Sequence, residues 1–171
     1  MRHAGVYRQK RNEAYDYWIV LAAPFTVPAL DAEATTRRLL ALVNEARAAP
    51  RACGGKQFAA APPLRRAARL DQAAQAHAGD MAARQVLSHT GGDGSRARDR
   101  VQRVGYAWQA LGENVAAGPR NAEEALAGWL RSPGHCANVM SAEFTEMGVG
   151  IATNAASEPG TFWVQVFGTP P

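Results

Sequence analysis

The sequence predicts an α+β fold in which helices come first and a small antiparallel sheet closes the chain. Apolar residues recur at three- and four-residue spacings from Asp31 onward, which is typical of amphipathic helices. Near the C-terminus the spacing changes to two, with Met147, Val149 and Ile151 alternating with small residues. At 171 residues, with 47% hydrophobic and 20% charged residues, the chain is long enough for one folded domain with a core.

The first 30 residues differ from the rest. A basic segment, Arg8 to Arg11, precedes the apolar run Trp18 to Phe25. Val27-Pro28-Ala29 then has small residues at the two positions that a signal peptidase recognises. This order predicts a secretory signal peptide over residues 1–30, ahead of a single domain over 31–171. Acidic residues between the basic segment and the apolar run leave an irregular N-terminal arm as the alternative. The apolar core is too short for a permanent membrane-spanning helix.

Four helices are predicted from periodicity and end signals. Asn121 with Glu124 three residues later forms an N-cap pair, and Pro133-Gly134 ends the helix that this pair begins. His77 lies on or beside the apolar stripe of the second helix. The predicted helices cover about 31–49, 64–85, 97–104 and 122–131.

Loops and strands fill the remaining chain. Residues 51–63 and the segment Gly91 to Ser95 have loop composition, and Glu113 to Ala116 is predicted to be a short strand. A hairpin is predicted from two alternating runs on either side of Ser157 to Gly160. Glycines 148 and 150 within the first run predict the close approach of another backbone or side chain.

The net charge of +4 does not indicate nucleic-acid binding. Basic residues are spread over several segments, and no compact stripe interleaved with aromatic residues is present. We therefore interpret them as solvated helix faces, with attraction to an anionic envelope surface as the alternative.

The two cysteines indicate export. Cys53 and Cys136 each lie in a turn-like context, and neither belongs to a Cys-x-x-Cys pair. We expect a disulfide between them, which would stabilise the fold by about 4 to 5 kcal/mol in chain-entropy models. Two unrelated thiols in a cytosolic protein are the alternative.

A Gly-Glu-Asn segment with a histidine segment on either side carries the candidate chemistry. Glu113 lies 24 residues after His89 and 22 before His135. One carboxylate and two imidazoles in a cleft could ligate a metal or transfer protons. These separations do not match a local zinc motif, so the spacing alone does not bring the three together.

Seven segments follow one another along the chain: Leu42 to Arg47, Ala76 to Ala82, Leu87 to Thr90, Gly112 to Gly118, Trp129 to His135, Phe144 to Gly150 and Trp163 to Gly168. In this order they resemble the CAP superfamily (cysteine-rich secretory proteins, antigen 5 and pathogenesis-related 1), and in particular its short bacterial secreted members. The resemblance covers about residues 31 to 169 and implies an α-β-α sandwich with a small central antiparallel sheet between helical layers.

The resemblance also implies a shallow cleft in which two His and two Glu bind a divalent metal, zinc above all. By motif, His89, Glu113 and His135 match three of these residues. At the position of the family's second Glu this chain has Arg131-Ser132 instead. Glu146 is the nearest substitute by motif. Asn114, Ser132 and His77 are additional candidate cleft residues.

Each candidate also has a non-catalytic interpretation. His77 fits a hydrogen-bonded core histidine, and Glu113 fits a buried carboxylate that anchors a turn and needs polar partners. Ser132 with His135 would be a nucleophile pair, but Ser-Pro is a common helix stop and no strand–turn–helix elbow surrounds it.

Three functions remain open at this point. The leading one is a secreted or periplasmic monomer that binds an envelope-associated lipid or glycan in a His/Glu cleft without catalysing a reaction, because the superfamily has no single accepted one. The second is a metal-dependent hydrolase using His89, Glu113 and His135. The third is a structural extracellular domain with a vestigial cleft. No nucleic-acid partner is expected.

Overall fold

The computed structural model describes residues 4–11, 15–22 and 31–171, and its helices and strands confirm the α+β class. The central sheet lies between two helical layers. In chain order the elements are β1 (Ala4–Arg11), β2 (Tyr15–Ala22), α1 (Ala32–Arg47), β3 (Arg51–Cys53), β4 (Lys56–Phe58), β5 (Arg65–Arg66), α2 (Ala68–Arg84), α3 (Ala97–Arg103), β6 (Ala110–Ala117), α4 (Ala122–Arg131), α5 (Pro133–Met140), β7 (Glu146–Thr153) and β8 (Thr161–Thr169).

The four-stranded sheet has the order β5-β7-β8-β6, antiparallel except for the short parallel pairing of β5 with β7. Successive side chains of a strand point to opposite faces. In β8, Val164 and Val166 pack with α2 and α3, whereas Trp163 and Phe167 pack with α1, α4 and α5. This arrangement confirms the α-β-α sandwich that the resemblance implied.

Helix α2 lies directly against β7, as the glycines predicted. A Cβ atom at Gly148 or Gly150 would lie 2.2 Å from backbone atoms of α2. The carboxylate of Asp71 on α2 accepts a hydrogen bond of 2.8 Å from the backbone N–H of Val149. Side chains of α2 thus satisfy backbone donors of β7 beyond the end of β5.

The structure contains short elements that periodicity did not predict. The loop at 51–63 includes the β3–β4 hairpin, and β5 precedes α2, which begins at Ala68 rather than Leu64. Helix α4 ends two residues before Pro133, as predicted, but Pro133 is also the first residue of α5. Proline is favoured at the first helical position because its missing N–H would have no intrahelical partner there.

The predicted disulfide between Cys53 and Cys136 is present, with the two Cα atoms 5.5 Å apart. It joins β3 to α5 across 83 residues of chain. The first turn of α5 is therefore covalently tied to a hairpin on the same side of the sheet.

Arg47, at the end of α1, is fully buried and binds a set of backbone carbonyls. Its guanidinium donates to the oxygens of Pro62, Val139, Ser141 and Phe144 at 2.8 to 3.2 Å. Burial lowers the pKa of Arg47, because these neutral oxygens compensate its charge less than water would. The bonds fix the segment that connects α5 to β7.

The N-terminal prediction remains open. β1 and β2 pair as antiparallel strands, and the predicted cleavage site Val27-Pro28-Ala29 lies outside the described residues. The assignment of 1–30 as a signal peptide or arm therefore stays a prediction. No helix in the described ranges is long and apolar enough to cross a membrane.

Candidate functional site

Three candidate residues come from three different parts of the chain around β6, one of the two edge strands of the sheet. Glu113 lies on β6, His89 in the loop after α2, and His135 in the first turn of α5. His89 and Glu113 are in direct contact, with 2.8 Å between Nδ1 and Oε1. The His89 side chain is 56% exposed whereas that of Glu113 is only 5% exposed.

The second oxygen of Glu113 is held by Arg100, a residue of α3. The Arg100 guanidinium donates to Glu113 Oε2 at 2.6 Å and is itself only 6% exposed. The carboxylate therefore lies between an imidazole and a guanidinium, which satisfies both of its oxygens. A buried ion needs such partners, because an unpaired one loses its hydration without compensation.

The loop that carries His89 is fixed by two buried side chains. His77 Nε2 lies 2.8 Å from the carbonyl oxygen of Ser88, and Arg100 donates to the carbonyl oxygen of His89 at 3.2 Å. Both contacts act on the backbone, and the His89 side chain, held by Glu113, is still 56% exposed. With Nδ1 donating to the Glu113 carboxylate, Nε2 is the nitrogen left for a ligand.

His135 approaches the same edge from the opposite layer. Burial and the nearby His89 imidazole lower the pKa of His135. Asn114 is fully buried and donates to the carbonyl oxygen of His135 at 3.2 Å. Asn138, one turn further along α5, donates to the Glu113 carbonyl and to Asn114 Oδ1 at 3.2 and 2.9 Å. Amide side chains thus dock α5 on β6 and place His135 near His89.

Glu146 and Ser132 have other surroundings. Glu146 accepts from the Tyr106 hydroxyl at 2.9 Å and pairs with Arg65 at 3.3 Å. In the described residues no hydrogen bond joins it to His89, Glu113 or His135. Ser132 lies between α4 and α5, where its carbonyl accepts from the backbone N–H of Cys136.

The metal site predicted at His89, Glu113 and His135 stays a prediction. In the part of the chain that the structure describes, no three His, Cys, Asp or Glu side chains converge closely enough to hold one ion. Both oxygens of Glu113 are engaged, which leaves the two imidazoles as the available nitrogen ligands. A histidine that binds a metal usually donates its other N–H to a carboxylate, and this is the relation of His89 to Glu113.

Arg100 is a residue of the candidate site that the sequence analysis did not identify. The charge pattern favours a solvated basic helix, yet Ala97, Val101 and Val104 recur at helical spacing and Arg100 falls on the same face. A charged residue on an apolar face requires a buried partner. This signal could have paired Arg100 with a carboxylate, although not with Glu113 in particular.

The chain matches the family model described as the cysteine-rich secretory protein family, CAP, over residues 40–167. Among curated proteins it is similar to the uncharacterized protein YkwD of Bacillus subtilis (strain 168), with 30% identity over 105 residues, 61% of this chain and 39% of that protein. It is also 31% identical over 75 residues to the uncharacterized membrane protein YlbC of the same organism, 44% of this chain and 22% of YlbC. The chain thus spans well under half the length of either relative.

Solved structures share the fold. An extracellular protein containing a SCP domain from Bacillus anthracis str. Ames aligns with a TM-score of 0.66 and 24% identity, over 88% of this chain and 46% of that one. An outer surface protein from Borrelia burgdorferi aligns with a TM-score of 0.66 and 16% identity, over 83% of this chain and 97% of that one. At these identities the likeness establishes the architecture alone.

Proposed function

The chain belongs to the CAP family of cysteine-rich secretory proteins, and on that premise we propose that it works outside the cytoplasm as a binding module. Its ligand is a lipid or glycan of the cell envelope that docks at the cleft between His89 and His135. A fold alone does not define a reaction, so the proposal rests on the chemistry of this cleft.

Two observations support a location outside the cytoplasm. Disulfides persist in oxidising compartments and are rare in the cytosol, and this chain pairs both of its cysteines. Proteins with the same architecture are described as extracellular or as an outer surface protein. A secreted or periplasmic location agrees with the signal peptide predicted over residues 1–30.

The clamped imidazole is the observation that carries the proposal. Glu113 holds Nδ1 of His89, Arg100 holds Glu113, and the ring itself is more than half exposed. A polar group held by buried partners binds a ligand without first losing much conformational freedom. The cleft therefore presents His89 Nε2 as a fixed hydrogen-bonding or ligating atom.

Binding to envelope material tests this proposal. Co-sedimentation of the full chain with anionic phospholipid vesicles and with purified peptidoglycan would be compared with that of His89→Phe, which keeps a ring but removes both nitrogens. Arg98→Ala, a change at an exposed position of α3, is the control. We expect binding of one material to wild type and control, and at least about a tenfold loss in His89→Phe. Equal binding of all three proteins, or of none, would contradict the proposal.

A metal-dependent hydrolase is the second candidate, favoured by the carboxylate on His89 Nδ1. In such a site His89 Nε2 and His135 would hold the ion, zinc being the expected metal, and Glu113 would orient His89 instead of ligating. Bound zinc would supply a water of lowered pKa. This candidate predicts that a chelator abolishes hydrolysis, that zinc restores it, and that the Glu113→Gln variant does not hydrolyse the substrate. Hydrolysis by Glu113→Gln would exclude this candidate.

A further inference from the structure

A separate pocket of about 330 Å³ lies between α2, α3 and the Gly91–Ser95 loop. Arg100 lines this pocket, but His89, Glu113 and His135, the residues of the proposed cleft, do not. Its volume is at the lower end of the range for small-molecule sites. Ala73, Ala76 and Val104 form its apolar wall.

His77 supplies an unsatisfied polar atom at this pocket. The residue is 1% exposed, and its Nδ1 has no hydrogen-bond partner in the described structure. Because Nε2 faces the Ser88 carbonyl, Nε2 carries the proton and Nδ1 of the neutral ring presents a lone pair. Asp80 Oδ2, another acceptor, lies 3.9 Å from Nδ1 and belongs to a residue that also lines the pocket. Nδ1 of His77 is thus a buried acceptor that lacks a donor.

The charges around the pocket favour a neutral occupant. Asp80 is paired with Arg84 at 2.6 Å, and Asp93 with Arg103 at 2.6 Å. Each pair is neutral as a unit but keeps spare lone pairs on the carboxylate and spare N–H groups on the guanidinium. Hydroxyl groups both donate and accept, so they can use both kinds of site without adding charge.

We infer that this pocket binds a small neutral polyhydroxylated molecule, the size of one sugar unit. Its hydroxyl groups bond to the Asp80 and Asp93 carboxylates and to Arg103, and one donates toward His77 Nδ1. Its C–H face packs on Ala73 and Ala76. This site is additional to the cleft of the proposed function.

Amide NMR titration of the full chain with glucose and with N-acetylglucosamine tests the inference. Phosphate and ethylammonium serve as charged comparison probes. We expect one of the sugars to shift the amides of Gly91 and Gly92, and the ring Nδ1 resonance of His77 to move with them. Neither sugar shifting these signals, or a charged probe shifting them at lower concentration, would overturn the inference.

A pair of alanine-to-leucine variants on α2 localises the effect. Ala76→Leu fills the pocket from an exposed helical position, and Ala83→Leu makes the same change on the same helix outside it. We expect sugar affinity to fall at least about tenfold in Ala76→Leu and to be unchanged in Ala83→Leu. Unchanged affinity in Ala76→Leu would overturn the inference. His89→Phe should leave sugar binding intact, so failure of the cleft proposal is distinguishable from failure of this one.

Discussion

At the scale of single residues, the candidate site is organised by Glu113, whose two oxygens have different partners. The His89 ring is largely exposed, whereas Arg100 is buried with the carboxylate. The carboxylate therefore connects the exposed His89 ring to the buried Arg100 and holds the ring in position. Its contacts favour an anchoring role over a ligating one.

Arg100→Met should destabilise the protein strongly. Removing Arg100 leaves the buried Oε2 atom of Glu113 without its charged partner, and the expected loss is about 3 to 5 kcal/mol in the free energy of unfolding. Urea denaturation measures it. Arg103→Met on the same helix removes an exposed guanidinium and should cost less than about 1 kcal/mol. Equal losses in both variants would contradict a special role for the Arg100–Glu113 pair.

His77 should make stability depend on pH. Burial and the positive charge of Arg100 lower the pKa of His77 below its ordinary value of 6.5. As the pH falls through 6.5, the unfolded chain takes up a proton that the folded chain does not, so the free energy of unfolding decreases. The lowered pKa of His135 acts in the same direction. Carboxylates with lowered pKa values, such as Asp80, also decrease the free energy of unfolding when they protonate, but they do so at still lower pH.

Urea titrations at several pH values on either side of this point test that dependence. His77→Gln removes the titrating ring, so its stability should fall less steeply between pH 6.5 and the range in which carboxylates protonate. A slope identical to that of wild type would show that His77 takes up its proton equally in both states.

At the scale of elements, the contact of α2 with β7 depends on the absence of side chains at two positions. Gly148→Ala would place a Cβ 2.2 Å from the backbone of α2, and neither rigid element can yield locally. We expect a loss of about 3 kcal/mol or more in chemical denaturation. Gly128→Ala in α4 meets nothing within 4 Å and should instead stabilise by about 0.5 to 1 kcal/mol. A mild effect at Gly148 would mean that α2 can move away from the sheet.

Local signals predicted the elements better than they predicted the site. Asn121 does cap α4 by accepting from the backbone N–H of Glu124, and Gly148 and Gly150 do mark a close approach. By contrast, β5 is two residues long and forms only because β7 offers it a parallel partner. The pairing of Arg100 with Glu113 depends on how α3 packs on β6. No periodicity within either segment encodes that arrangement.

At the scale of the whole molecule, the disulfide connects global stability to the candidate site, because Cys136 is adjacent to His135. Replacing Cys53 and Cys136 by alanine removes a cross-link over 83 residues, and chain-entropy models give a loss of about 4 to 5 kcal/mol. Thermal and urea unfolding of the double variant would measure it. Because Cys136 follows His135 in α5, ligand binding at the cleft should weaken as well. A variant with wild-type stability would show that the cross-link constrains little of the unfolded chain.

The bonds that Arg47 makes have a consequence for how this protein can vary. Its guanidinium recognises main-chain oxygens, which every amino acid provides, so these contacts do not depend on which side chains the segment from α5 to β7 carries. Substitutions at exposed positions of this segment, such as Ala142 and Glu143, should therefore leave its backbone course unchanged as long as Arg47 is present.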